Sequence, residues 1–155
     1  MKNMKNMKNS TKRNKKNNKK DKKSSTVKNK PNKPNEQKDI VLKFLSLFVT
    51  IKLWHWKTNL YSIHKSTDEF LESFLDHTDR FIEVMLGKKQ NRIHLGNINK
   101  LRFTEINNSK EFLEVLHRFS KFITSLHLND RPDLITIRDE IIADLNKLLY
   151  LQTFK

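Results

Sequence analysis

Residues 53–87 read LWHWKTNLYSIHKSTDEFLESFLDHTDRFIEVMLG, and the fold is decided in this stretch. Counted from His64 at about 100° per residue, Ile63, Thr67, Phe70, Leu71, Phe74, Thr78, Phe81, Ile82 and Met85 fall on one wide arc. That periodicity predicts a helix from Ser62 to Leu86, its apolar arc turned to the subunit's own core and Gly87 suited to its C-cap. On the shoulder of the arc lie His64, Asp68, Asp79 and Glu83, at offsets of 4, 15 and 19 residues. They project at roughly 0°, 40°, 60° and 100°, all from one side of the helix. Fifteen residues of helix rise about 22 Å, so the four cannot share one ion within a chain. They form two half-sites, a His/Asp pair and an Asp/Glu pair.

These pairs lie at equal distances either side of a point between Ser73 and Phe74. A two-fold axis through that point would lay an antiparallel copy against the helix, bringing His64 and Asp68 opposite Glu83 and Asp79. Leu71 and Leu75, between the half-sites, are expected at the dry centre of such a contact. The same residues also fit a plainer reading, the solvated edge of an amphipathic helix.

Working outward, Lys38 to Lys57 reads as a first helix, apolar around most of its circumference. Its run from Ile40 to Trp56 is interrupted by Lys43 and Lys52 and is at the lower limit for crossing a bilayer, so no membrane span is expected. After Gly87 a long connection, Lys88 to Asn108, could travel the length of a bundle. Ile93, Leu95, Ile98, Leu101 and Phe103 suggest a short packed helix or turn within it. Asn108 and Glu111 form a capping pair for a third helix with core face Phe112, Val115, Leu116, Phe119, Phe122, Ile123 and Leu126. Asn129 and Asp130 are the expected caps of a fourth, with Pro132 in its first turn and core line Leu134, Ile137, Ile141, Leu145, Leu148 and Leu149. The fold class is therefore all-α, a four-helix bundle over residues 38–155.

Residues 1–37 differ in kind. Through Lys38 the chain holds fifteen Lys or Arg against Asp21 and Glu36, which supplies +13 of a total formal charge of +15. An MKN triplet opens it three times, and Asn, Ser and Pro separate the lysines, so the segment is expected to be a disordered basic tail. Lys12, Arg13, Lys15, Lys16, Lys19, Lys20, Lys22 and Lys23 are its densest charges and would neutralise nucleic-acid phosphates without reading sequence. With one Arg and no aromatic residue, it has little means of reading bases. A localisation signal or a membrane-surface contact would use the same charges, and an AT-rich coding sequence enriches the same residues. The absence of cysteine leaves only His and carboxylate ligation for a metal.

The stretch from Leu53 to Gly87 resembles the iron-site region of the Dps-type mini-ferritins, DNA-protecting relatives of ferritin. The His55-Trp56 pair, His64 with Asp68, the run Asp76, His77 and Asp79, and LNKLLYLQTF at 145–154 carry the resemblance, which extends from about Lys38 onward. The His55-to-His64 spacing of nine is shorter than the family's, and Asn59-Leu60 stands where that loop often has Gly-Pro.

The resemblance implies a ferritin-like bundle with one long crossover between the second and third helices. It also implies a twelve-subunit shell and a di-iron, non-haem ferroxidase site. His55, His64 and Asp68 of one subunit would be joined there by Asp79 and Glu83 of its neighbour, with Trp56 beside them. Fe(II) suits imidazole and carboxylate donors, and its oxidant would be hydrogen peroxide or dioxygen, with Fe(III) stored. Asp130 and Asp133 would line an ion entry pore. Twelve tails would hold DNA through effective concentration, protecting it from oxidative stress. Location would be cytoplasmic and nucleoid-associated in a bacterium, or virion, host nucleus or cytoplasm for a large DNA virus. A non-catalytic scaffold that condenses nucleic acid, or a bundle that docks proteins, is the alternative.

Overall fold

The periodicity produces four helices in the computed structural model, which describes residues 36–87, 92–96, 98, 100–128 and 131–154. They are α1 (Glu36–Lys57), α2 (Tyr61–Gly87), α3 (Ser109–Thr124) and α4 (Pro132–Leu151), with no strand among the described residues. None of these helices is long and apolar enough to cross a membrane. The tail residues from Lys12 to Lys23 lie outside the described residues.

The predicted core faces are the buried ones. On α2, Ile63, Thr67, Phe70, Leu71, Phe74, Thr78, Phe81 and Met85 are buried, and Ile82 packs partly buried against them. Five residues of α3 and five of α4 are buried with them, while Phe122, Leu126 and Leu149, expected in the core, are only partly buried against it. Phe44 is the hub. Its ring centroid lies 5.8 Å from that of Phe74 and 5.5 Å from those of Phe81 and Phe119, so one side chain joins three helices.

α2 packs on α1 and α4, and α3 packs on α1 and α4. The α2–α4 seam is held by polar pairs along its length. His77 Nδ1 donates to Asp144 Oδ2 at 2.9 Å, Arg80 pairs with Glu140, Arg131 donates to the Val84 carbonyl at 2.8 Å, and Gln152 donates to Ser66 Oγ at 3.0 Å. His77, part of the Asp76-His77-Asp79 run, thus serves the α4 seam. The connection after α2 turns at Gly96, whose φ of 64° favours glycine, and then lies along α1. Ser46 Oγ donates to the Arg102 carbonyl, the Thr104 amide to Thr50 Oγ1 at 3.1 Å, and Lys57 Nζ to Asn107 Oδ1 at 2.7 Å.

Several local expectations are corrected. Of the helix or turn expected in this connection, the described part contains the turn at Gly96 and no helix; Ile93 and Leu95 pack on the core while Phe103 is 53% exposed, and Ile106 at 2% is its deepest residue. Asn108 does cap α3, its side chain accepting from the Glu111 amide at 3.0 Å. Glu111 in turn accepts from the Asn107 amide at 2.9 Å, one residue earlier than a regular capping box. Gly87 is the last residue of α2 and has no positive φ, so it is not a left-handed cap. Asn129 and Asp130 lie outside the described residues, and the N-cap of α4 is Arg131, which makes no side-chain cap bond.

Candidate metal centre

The three-residue turn 58–60 brings the end of α1 against the start of α2, and His55 meets His64 there. Their rings stack at a centroid distance of 3.9 Å and an interplanar angle of 22°. Each Nδ1 lies 3.1 Å from the other's backbone carbonyl. A carbonyl only accepts, so both Nδ1 atoms carry the proton and donate, which in the neutral form of each ring leaves the lone pair on Nε2. The shortened loop therefore does not carry His55 away from His64. Such backbone anchoring of the remote nitrogen is the usual support of a metal-ligating imidazole.

Two residues outside the expected ligand set complete this arrangement. Thr67 Oγ1 donates to the Ile63 carbonyl at 2.7 Å and stands 3.1 Å from His55 Nδ1, placed to accept from it. Its position on the apolar arc marks it as core, and only the meeting of α1 with α2 reveals that it orients His55. Lys52 Nζ lies 3.6 Å from Asp68 Oδ1, which is itself 3.9 Å from His55 Nε2. The ammonium also stands 5.8 Å from the centre of the Trp56 ring. Trp56 is 68% exposed and reaches this cluster through Lys52.

Asp79 and Glu83 are exposed on α2, and they have no ion pair or side-chain hydrogen bond among the described residues. No group of three or more His, Asp or Glu side chains among the described residues is gathered closely enough to hold a metal ion. One chain stacks His55 on His64 and sets His55 Nε2 3.9 Å from Asp68, and it keeps Asp79 about 22 Å and Glu83 about 28 Å from His64 along the helix. Between the half-sites, Leu75 is 49% exposed and Leu45 of α1 is 40% exposed. They line an open depression of about 980 Å³ with Glu72, Asp79 and Ile82. Leu71 is 3% exposed and belongs to the subunit's own core, which corrects its expected place at a dimer contact. It lies about 40° nearer the apolar arc than Leu75.

Asp133, an expected pore acid, is bound by Arg131 at 2.9 Å, and that bond holds its carboxyl below the usual carboxylate range. Asp130 is outside the described residues.

Burial lowers the His55 pKa from its ordinary value of 6.5, and the Lys52 charge acts the same way; the His64 carbonyl and Asp68 oppose them. An imidazole that resists protonation when folded favours unfolding wherever the unfolded chain binds the proton. Its contribution is complete above pH 6.5 and is lost as pH falls through the lower folded value. The thermal midpoint is expected to drop as pH falls below the ordinary histidine value of 6.5. His55→Gln should flatten that slope, and an unaltered slope in the variant would rule out His55 as its source.

No curated protein and no solved structure matches the chain. A family model matches residues 55–151, a span that begins at His55 and takes in all five expected ligands. The chain belongs to that family, a family of unknown function (DUF5856).

Proposed function

We propose that the protein is a mini-ferritin-like ferroxidase whose iron site is completed across a two-fold axis. The observation that carries this reading is the reciprocal His55–His64 lock, which fixes the orientation of both imidazoles and leaves the buried His55 Nε2 3.9 Å from Asp68 Oδ1. Asp79 and Glu83 are exposed on the side of α2 that carries Asp68, at the positions a two-fold copy would bring opposite His64 and Asp68. The exposed Leu45 and Leu75 between them supply apolar surface for the contact. Finer features of the fold follow from the same reading. The connection from residue 88 to 108 acts as the single long crossover of a ferritin-like bundle, and copies assemble further into a twelve-subunit shell.

Iron is the substrate. Two Fe(II) ions each give one electron to hydrogen peroxide; the O–O bond breaks and, with two protons, two waters form. The Fe(III) produced is stored as hydrolysed mineral. Dioxygen serves as a slower oxidant. The carboxylates of Asp68 and Glu83 hold the first iron with the His55 and His64 imidazoles, and Asp79 carries or bridges the second. Binding displaces Lys52 from Asp68, and the Trp56 face offers its ammonium another resting place. The basic segment, Lys12 to Lys23 above all, holds DNA without sequence preference.

The Lys52–Asp68 ion pair favours a second reading, in which the half-site is already neutralised and the bundle is a nucleic-acid-condensing scaffold. Fe(II) oxidation by hydrogen peroxide, followed anaerobically in purified protein, separates the two. Rapid oxidation that His64→Ala/Asp68→Ala removes is the expected result. A parent rate equal to that of free iron would leave the scaffold.

A further inference from the structure

The bundle's charge is divided between its two pairs of helices. α2 carries six acidic residues against Lys65 and Arg80, and α4 carries four against Arg138 and Lys147. Bases outnumber acids on α1 and on α3, and the connection lying along α1 adds Arg92, Lys100 and Arg102 against Glu105. Since α1 packs on α3 and α2 on α4, one side of the bundle is basic and the other acidic.

On the basic side, two adjoining cavities of about 380 and 140 Å³ run between α1, the connection and α3. They share Lys43, Ser46 and Phe122, and Lys43 Nζ stands 5.9 Å from the centre of the Phe122 ring. Lys100 and Arg102 line the larger, together with the single acid Asp39, and Arg118 lines the smaller. Among the described residues, none of these four cations is paired with a carboxylate within 4.0 Å.

We propose that this groove is a phosphate-binding track for nucleic acid on the bundle itself. A row of exposed, unneutralised cations with a shallow apolar floor suits a polyanionic backbone, each contact releasing counterions. The opposite side of the bundle repels the same backbone, so the charge division fixes which face meets it. This rests on the reading that nucleic acid is the partner, and it adds a second, built surface to the charges of residues 1–37.

The test is equilibrium binding of a labelled, mixed-sequence DNA duplex to the full chain across a range of salt. Three proteins are compared: the parent, Lys100→Gln/Arg102→Gln/Arg118→Gln, and a variant of equal net charge, Lys65→Gln/Arg138→Gln/Lys147→Gln. The groove variant is expected to bind about tenfold to a hundredfold more weakly near physiological salt, with a slope of log K against log salt shallower by about 2–3. The charge-matched variant should bind within about twofold of the parent. Equal losses in both variants, or none in the groove variant, would overturn the groove while leaving DNA as a partner of the tail. A parent that fails to bind DNA would overturn both.

Discussion

Phe44→Ala is expected to remove about 3–5 kcal/mol of folding stability, as full truncations of buried phenylalanine do. Phe44 is wholly buried, and its ring touches those of Phe74 and Phe81 on α2 and Phe119 on α3. Those neighbours belong to long helices with their own buried faces, so they can collapse little into the void and the cavity cost should be near the top of the range. A domain of this size is commonly stable by about 5–15 kcal/mol, so the loss is a large fraction of the whole. In denaturant titrations the midpoint should fall steeply with little change in slope. Phe44→Leu, which keeps most of the volume, should lose markedly less. A loss below about 1 kcal/mol for the alanine variant would mean that Phe44 does not join the three helices as described.

The second large effect is expected far from the histidines. Asp79→Ala/Glu83→Ala should bring Fe(II) oxidation to the rate of free iron, matching the loss in His64→Ala/Asp68→Ala. Within one chain this outcome has no basis, because Asp79 and Glu83 lie about 22 and 28 Å from His64 along α2. Across a two-fold axis it is required, since each site needs both halves. Both acids are exposed, so their removal should leave the melting midpoint of the subunit within a few degrees of the parent. Combining all four substitutions should add nothing further, as residues that act as one unit are not additive.

Much of this architecture was legible from residue spacing alone. The core faces of α2, α3 and α4 follow from a 3.6-residue period in long segments rich in Phe, Leu and Ile, a signal that tertiary packing reinforces. The placement of His64, Asp68, Asp79 and Glu83 outside the buried face of α2 was legible for the same reason, because it is set by positions along one helix. What depends on neighbouring elements was not. Thr67 looks like one more core position until His55 arrives from α1. Lys52 carries no sign of its Asp68 partner, because the two meet only across the α1–α2 contact. Ile106 lies in the connection, where no periodicity marks a buried residue. Leu71 and Leu75 are one turn apart and equally apolar, and the angle of about 40° between them, which sets Leu71 on the apolar arc, outweighs the dimer contact expected of it. The division of charge escaped for a similar reason. The sequence after residue 38 is nearly neutral in sum, and the basic and acidic sides appear only once α1 is paired with α3 and α2 with α4.

Subunit complementation tests the inter-subunit site most directly. Co-assembly of His64→Ala/Asp68→Ala chains with Asp79→Ala/Glu83→Ala chains yields mixed two-fold pairs in which one site lacks both halves and the other is intact. With random pairing, about one quarter of all sites should be whole. Peroxide-driven Fe(II) oxidation should therefore return in the mixed assembly to about a quarter of the parent rate, while each variant alone stays at the rate of free iron. A mixture as inactive as its two components, with mixed pairs shown to be present, would contradict a site shared between subunits.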